Sequence, residues 1–319
     1  MRDVFTDALN APAGRLTEVL LKKLSKGSGD NEIPDTMRKR LERLVDTPGK
    51  PGLLARVRLA AEVSYLFDRA PSWTKSKILP LFDWSSPDAT DAWAARRYSN
   101  YIGSPELFGL IKQPFLEMFG RNDVPSEDLD TFSGWLTEIL IANKRRNDDG
   151  YPLKGTEARA ALRRAGAKAL SSVGHRLAVE MERAKPEERA TQWRTIVGPV
   201  FQEIWPLDVE LQTTASTFKL TQILMATGEA FAEAAEVIVP FIRPDDPRSR
   251  STVFSIAKAS EELYASSPSK MLDLIAAVVG DAAPGSVYSL KEALDRIRAV
   301  DPKLADTRKF QKLASYAAP

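Results

Sequence analysis

The sequence predicts an all-α protein in which antiparallel helical pairs stack as a HEAT-like α-solenoid. Three observations predict it. Apolar residues recur three and four apart along almost the whole chain, the period of a helix with one face turned inward. Strand signals are nearly absent: 237–239 is the one β-branched run, and Asn-Gly or Asp-Gly hairpin turns are missing apart from Asp149-Gly150 in a polar stretch. Helical stretches of mostly 10–18 residues are joined by short connections bearing Pro or Gly, which favours antiparallel neighbours.

Taken in order, the spacing predicts helices near 3–9, 12–25, 35–46, 52–68, 72–79, 87–101, 105–119 and 126–143, then 156–184, 187–204, 208–226, 229–242, 252–266, 268–279, 289–299 and 302–316, about fourteen once mergers are allowed. Over 52–68, Leu53, Leu54, Val57, Ala60, Ala61, Ser64 and Tyr65 form the apolar face. The stretch 156–184 reads as one long helix. Leu162, Gly166, Ala169, Leu170, Val173, Leu177 and Met181 share a stripe, and the small residues Ala165, Gly166 and Ala169 admit a close neighbour. Ser86-Pro87, Ser104-Pro105, Ser267-Pro268 and Asp301-Pro302 each set a capping oxygen before a Pro at the first helical position. Ser289 with Glu292 fits a capping box. The polar stretches 143–155 and 243–251 read as loops within one array over 1–319, and a boundary near residue 150 would divide it into sub-blocks 1–147 and 148–319.

A weak internal repeat fits the array. I-L-P-L-F-D-W (78–84) and G-P-V-F-Q-E-I-W (198–205) each run Pro, Phe, Trp, and each precedes a second Pro-Phe, at Pro114-Phe115 and Pro240-Phe241. The Pro-to-Pro distances, 34 and 41 residues, are those of two-helix repeats.

Composition narrows the chemistry. The chain has 319 residues, no Cys and one His, with 45 Lys+Arg against 43 Asp+Glu. Without Cys there is no disulfide, thiol nucleophile, iron–sulfur cluster or Cys-containing zinc site. A single His excludes two-His metal motifs within the chain. A formal net charge of +2 gives no global field toward nucleic acid or membrane. No signal-peptide core or membrane-length apolar run is seen, and a cytoplasmic protein without metal or cofactor is expected.

Catalytic candidates fare poorly. His175 falls on the polar face of its helix with Arg164, Lys168 and Glu182, and no partner that would orient a general base is evident. No G-x-S-x-G, S-x-x-K set, G-x-G-x-x-G or Walker motif is present, and Gly27-Ser28-Gly29 reads as a turn. Glu229, Glu233 and Glu236 share one helix face but lack the Glu-x-x-His partner of a di-metal bundle. Asp148-Asp149 and Asp245-Asp246 read as loop acids. Basic clusters are the better binding candidates: Arg38-Lys39-Arg40 with Arg43, Lys144-Arg145-Arg146, and Arg159, Arg163, Arg164 and Lys168. A binding surface is expected around Arg145, Arg146, Arg164 and Lys168. Trp135 is expected in the core and Trp84 and Trp205 wedged between helix pairs; for Trp73, at a helix start, and Trp93, partial exposure is the alternative and core packing the favoured reading.

Several stretches carry a likeness. A-L-N-A-P-A-G-R-L-T-E-V-L-L (8–21), I-L-P-L-F-D-W (78–84), D-A-W-A (91–94), P-E-L-F-G-L-I-K-Q-P-F-L (105–116) and the ending at 290–313 resemble a helical domain of unknown function. That domain follows sirtuin-like domains in bacterial anti-phage defence proteins. The likeness implies that NAD-consuming chemistry belongs to a domain outside this chain. The helical part would sense a trigger, hold subunits together or restrain the effector, and a helix pattern starting at once after Met1 fits a piece lacking its upstream part. None of these motifs is catalytic. The expected role is therefore a non-enzymatic recognition or scaffold module with a protein partner, a phage component or the effector domain itself. Homo-oligomers are compatible with it. A helical-repeat nucleic-acid binder ranks second, and a hydrolase centred on His175 third.

Overall fold

A computed structural model describes residues 4–26, 33–99, 102–146, 150–246 and 251–318. The described residues are almost entirely helical, with one isolated parallel bridge between Val287 and Ala317 and no other β pairing. The protein is all-α. It divides into two compact units, Met1–Trp135 with Asp149–Leu153, and Leu136–Asp148 with Lys154–Pro319. The division falls inside a helix rather than at the polar loop 143–155.

The first unit holds α1 (Val4–Asn10), α2 (Pro12–Lys26), α3 (Asp35–Val45), α4 (Gly49–Ala61), α5 (Val63–Arg69), α6 (Pro71–Lys77), α7 (Ala89–Arg96), α8 (Pro105–Met118) and the start of α9 (Ser126–Arg146). Helix α4 is central: α1, α2, α3 and α7 all pack on it. The helix expected over 52–68 breaks at Glu62, so α4 and α5 are separate. Arg56 ties α4 to its surroundings. Its Nε donates to Asp88 at 2.5 Å, just before α7, and its Nη1 to the Val45 carbonyl at 2.9 Å. Ser104 caps α8 as expected, accepting from the Leu107 N–H.

Aromatic rings fill this unit. Trp93 is 1% exposed, in the core as favoured over partial exposure. Phe82, Phe132 and Phe115 surround it at 4.9, 5.6 and 5.9 Å between centroids, and its Nε1 donates to the Phe82 carbonyl at 3.0 Å. Trp73 is buried as well. The helical period signalled only that Trp93 had a face; neighbouring rings decided which way it turned. Trp135 is core, as expected.

The second unit takes the rest of α9, then α10 (Gly155–Ala165), α11 (Ala167–Arg183), α12 (Arg189–Gln192), α13 (Gly198–Ile204), α14 (Thr214–Met225), α15 (Phe231–Ile238), α16 (Ser251–Ala257), α17 (Glu261–Ser266), α18 (Pro268–Val279), α19 (Leu290–Val300) and α20 (Arg308–Tyr316). The long helix expected over 156–184 is in fact two, broken at Gly166. That residue sits at φ +84°, a conformation that only glycine holds without strain. The close approach expected there occurs instead at Gly174, where an added Cβ would meet the Lys219 side chain of α14 at 2.9 Å. Between α12 and α13 lies one π turn, Trp193–Val197. Pro199 follows it. Its ring removes the donor that would reach back four residues, and one extra residue in the turn absorbs the mismatch.

The capping box expected at Ser289 does not form. Ser289 adopts φ +62°, its hydroxyl caps nothing, and Glu292 pairs with Lys258 instead. At Ser267 the Pro starts α18 without a side-chain cap. At Ser86-Pro87 the helix begins only at Ala89.

Candidate partner-binding surface

Of the basic residues singled out from the sequence, Arg38, Lys39, Arg40 and Arg43 lie on α3 in the first unit, and the others lie on α9, α10 and α11, within the second. Ion pairing sorts them. Lys144 reaches Glu203 on α13 at 2.5 Å, Arg163 reaches Asp208 at 2.6 Å, and Arg176 reaches Glu138 at 2.9 Å. Arg159 donates to the Gln202 carbonyl. These cations knit helices together rather than forming an unopposed row.

Arg145 is the strongest case. It pairs with Glu180 on α11, a carboxylate only 2% exposed. Gln192 Nε2 donates to the same oxygen at 2.5 Å, and Arg183 stands 3.9 Å from the other. A buried carboxylate needs such donors, since an unpaired charge costs several kcal/mol in a low-dielectric interior. Glu180 was not singled out from the sequence; its place beside the stripe of Leu177 and Met181 was the available signal. Arg146, Arg164 and Lys168 are exposed. All four expected residues therefore reach solvent, Arg145 while also holding the buried Glu180 carboxylate.

The remaining candidates fall as follows. His175 is exposed. Glu233 and Glu236 are a solvent-facing row that binds cations of the same chain: Arg194 grips Glu233 through two nitrogens at 2.5 and 2.9 Å, and Lys270 meets Glu236 at 3.1 Å. The Arg194 hydrogen bonds hold the Glu233 carboxyl below the ordinary carboxylate range. Asp245 is no idle loop acid. It is buried, and it accepts from the Thr252 N–H at 3.0 Å, capping α16. Gly27-Ser28-Gly29 and Asp148-Asp149 lie outside the described residues. Among the described residues no group of three or more acids or His is arranged to hold a metal, and no helix is long and apolar enough to cross a membrane.

The two copies of the Pro-Phe-Trp motif build similar but unequal clusters. Trp205 is buried, stacks on Phe201 at 5.0 Å and meets Phe241 edge-on at 6.5 Å. Trp84 is half-buried. Its Nε1 donates to the Pro114 carbonyl at 2.8 Å, and the Arg121 guanidinium lies 4.2 Å from its ring centre. In both copies the Trp contacts the second Pro-Phe.

No family model and no solved structure matches the chain. It is similar to the uncharacterized protein y4cA of Sinorhizobium fredii, 24% identical over 326 aligned residues. The match covers 99% of this chain and 26% of that protein, so the chain spans about a quarter of its length.

Proposed function

We propose that the chain is a non-catalytic recognition or scaffold module, built as a HEAT-like array. In this reading it serves a larger bacterial anti-phage defence protein whose sirtuin-like effector domain lies outside it. The observation that carries the array is the packing order of the second unit. There α10, α13, α15, α18 and α20 pack each on the next, as do α11, α14, α16 and α19. Two such rows are what stacked helical pairs produce. Side chains link neighbours within the rows: Arg194 before α13 to Glu233 on α15, Lys258 after α16 to Glu292 on α19, and Asp273 on α18 to Lys309 on α20. Their separations are 39, 34 and 36 residues, close to the roughly 34–47 residues of one helical pair.

The alignment with a protein about four times as long supports a modular role. The link to defence rests on the motifs at 8–21, 78–84, 91–94, 105–116 and 290–313. A protein partner is the reading that fits best with cations already engaged by acids of the same chain. The exposure of Arg146, Arg164 and Lys168 favours nucleic-acid binding as the second reading.

Two measurements test this. A chain ending at residue 267 lacks α18–α20. An array keeps its helicity per residue in circular dichroism and melts at a lower temperature, because each pair depends only on its neighbours; collapse of helicity overturns the array. Fluorescence anisotropy with a 30-base-pair duplex is expected to give a Kd no tighter than about 10 µM near physiological salt. Tight binding that falls steeply with salt would replace the protein-scaffold reading with the nucleic-acid one.

A further inference from the structure

Between the end of α11, α12, α14 and α16 lies a cleft of about 370 Å³ lined by Arg189, Phe218, Thr221, Gln222, Met225 and Ser255, with Glu182 and Lys258 also at its wall. Its volume is within the range of small-molecule sites. Phe218 and Met225, one helical face of α14, supply a ring and a pliable thioether, surfaces suited to a flat apolar body.

The polar groups point to the rest of the ligand. Arg189 is half-buried, its Nε is buried without a hydrogen-bond partner, and it makes no ion pair. Arginines around it in sequence behave differently: Arg183 lies near Glu180, and Arg194 grips Glu233. Thr221 is 2% exposed, and its hydroxyl also lacks a partner. Buried polar atoms are ordinarily satisfied, and leaving one orphaned costs about 1–3 kcal/mol. Two orphaned donors in the wall of one cleft, beside an apolar floor, are what a site looks like without its ligand. Lys258 is held by Glu292 at 2.8 Å, so the guanidinium of Arg189 is the cation left to meet an anion. Glu182 at the wall is exposed, where water screens its charge.

We propose that this cleft binds a small organic carboxylate with a planar apolar body. The carboxylate pairs with Arg189, Thr221 donates a second hydrogen bond, and the body lies on Phe218 and Met225. A forked guanidinium suits a carboxylate better than any other cation in a protein.

The test uses 2-naphthoate as the probe, titrated into the full chain by calorimetry or by NMR, with the neutral 2-naphthalenemethanol as its control. One-to-one, sub-millimolar binding of the acid is expected, with the alcohol about tenfold weaker, as loss of one charge-assisted contact implies. Arg189→Gln should bring the acid down to the level of the alcohol, while Arg308→Gln, at an exposed position outside the cleft, leaves it unchanged. Thr221→Val removes the orphaned hydroxyl, so the variant should melt at the same temperature or higher and still bind the acid several-fold more weakly; a purely structural threonine would not separate the two. Absence of binding at millimolar probe, equal binding of acid and alcohol, or an Arg189→Gln variant that binds as well as the parent overturns the proposal.

Discussion

Both units enclose a carboxylate paired with an arginine, Asp128 with Arg97 in the first and Glu180 with Arg145 in the second, but they differ in what else they bury. The first also encloses a cation, Arg96, at 0% exposure. It donates to the Ser64 hydroxyl at 2.7 Å and the Ile102 carbonyl at 2.8 Å, and its guanidinium lies 4.9 Å from the Trp135 ring centre. Among the described residues of the second no Lys or Arg is buried, and Gln192 joins Arg145 at the Glu180 carboxylate. The surroundings differ to match. Rings crowd the first core, where Phe108, Phe115, Phe119 and Phe132 join Trp93 and Trp135. The second relies on aliphatic side chains such as Leu170, Val173, Leu177, Leu220, Ile223, Leu274 and Ile275. A guanidinium is stabilised by aromatic faces and neutral oxygens. A carboxylate finds nothing useful in an aliphatic wall and must bring its own donors, which is why Glu180 recruits a cation from α9.

The sharpest way to break that comparison is to remove the ring at the centre of the first unit. Trp93→Ala is expected to cost about 4 kcal/mol, from lost burial plus the cavity left among rings that cannot collapse into it. Hydrogen exchange should quicken in α7 and α8. Leu274→Ala, in the aliphatic core, should cost about 3 kcal/mol and act on α18 and its neighbours. Equal exchange changes in both units for either variant would mean that the aromatic cluster is not a local core.

Next in size is the buried carboxylate. Glu180→Leu should destabilise by about 1–3 kcal/mol, less than the loss of a partner from a fully buried pair, because Arg145 is half in water and can be rehydrated. Glu180→Leu combined with Arg145→Met should recover part of the loss, since no charge is then left behind. Chemical denaturation of the three variants measures the coupling; a double variant no better than the single would show that Gln192, rather than Arg145, carries the interaction.

How much of this could be read in advance follows from what a helical period encodes. Amphipathic stripes predicted α2, α3, α8, α9, α18 and α19 closely, because each has one buried face over three or more turns, whereas α14 starts at Thr214, six residues later than expected. Breaks were missed where they depend on backbone conformation alone. Gly166 sits on the apolar stripe yet turns to positive φ, and Ser289, followed by Glu292, looks like a capping box but occupies the left-handed region. The candidate surface was legible as a cluster of basic residues, but not which of them are engaged. Arg145 and Arg146 are adjacent and chemically identical, and only the third dimension sets Arg145 against Glu180. Arg189 carried no signal, because an unpaired guanidinium can be recognised only once its neighbours are known.

Alkaline pH sharpens the comparison within the second unit. Tyr264 is buried, its hydroxyl donates to the Ile256 carbonyl at 3.0 Å, and burial pushes its pKa from 10.0 up to about 12 despite Arg296 over the ring. The folded form therefore resists losing a proton that the unfolded chain gives up near pH 10. Its contribution is intact below pH 10 and falls away as pH rises toward about 12. Melting temperature should decline across that window, and Tyr264→Phe should flatten the decline while lowering stability modestly near neutrality through the lost hydrogen bond. Absorbance near 295 nm checks the cause: a tyrosine step near pH 12 should be present in the parent and absent from the variant.

The smallest effects are expected at the exposed ion pairs that link neighbouring helices within a row. Arg194 and Glu233 are about half exposed, and their geometry is good, with two nitrogens meeting two oxygens. Water and salt screen such a pair, and fixing two long side chains cancels most of what remains. Arg194→Gln should leave the melting temperature almost unchanged, as should Lys309→Gln opposite Asp273. Their value lies in register rather than stability: a like charge at the partner position penalises a mispaired row. Exchanging the charges, with Arg194→Glu and Glu233→Arg together, should restore the parent's melting behaviour, whereas Arg194→Glu alone sets two acids face to face and should lower it. If the single reversal were as stable as the exchange, these pairs would be incidental to the packing of α13 on α15, and the apolar contacts beneath them would set the register unaided.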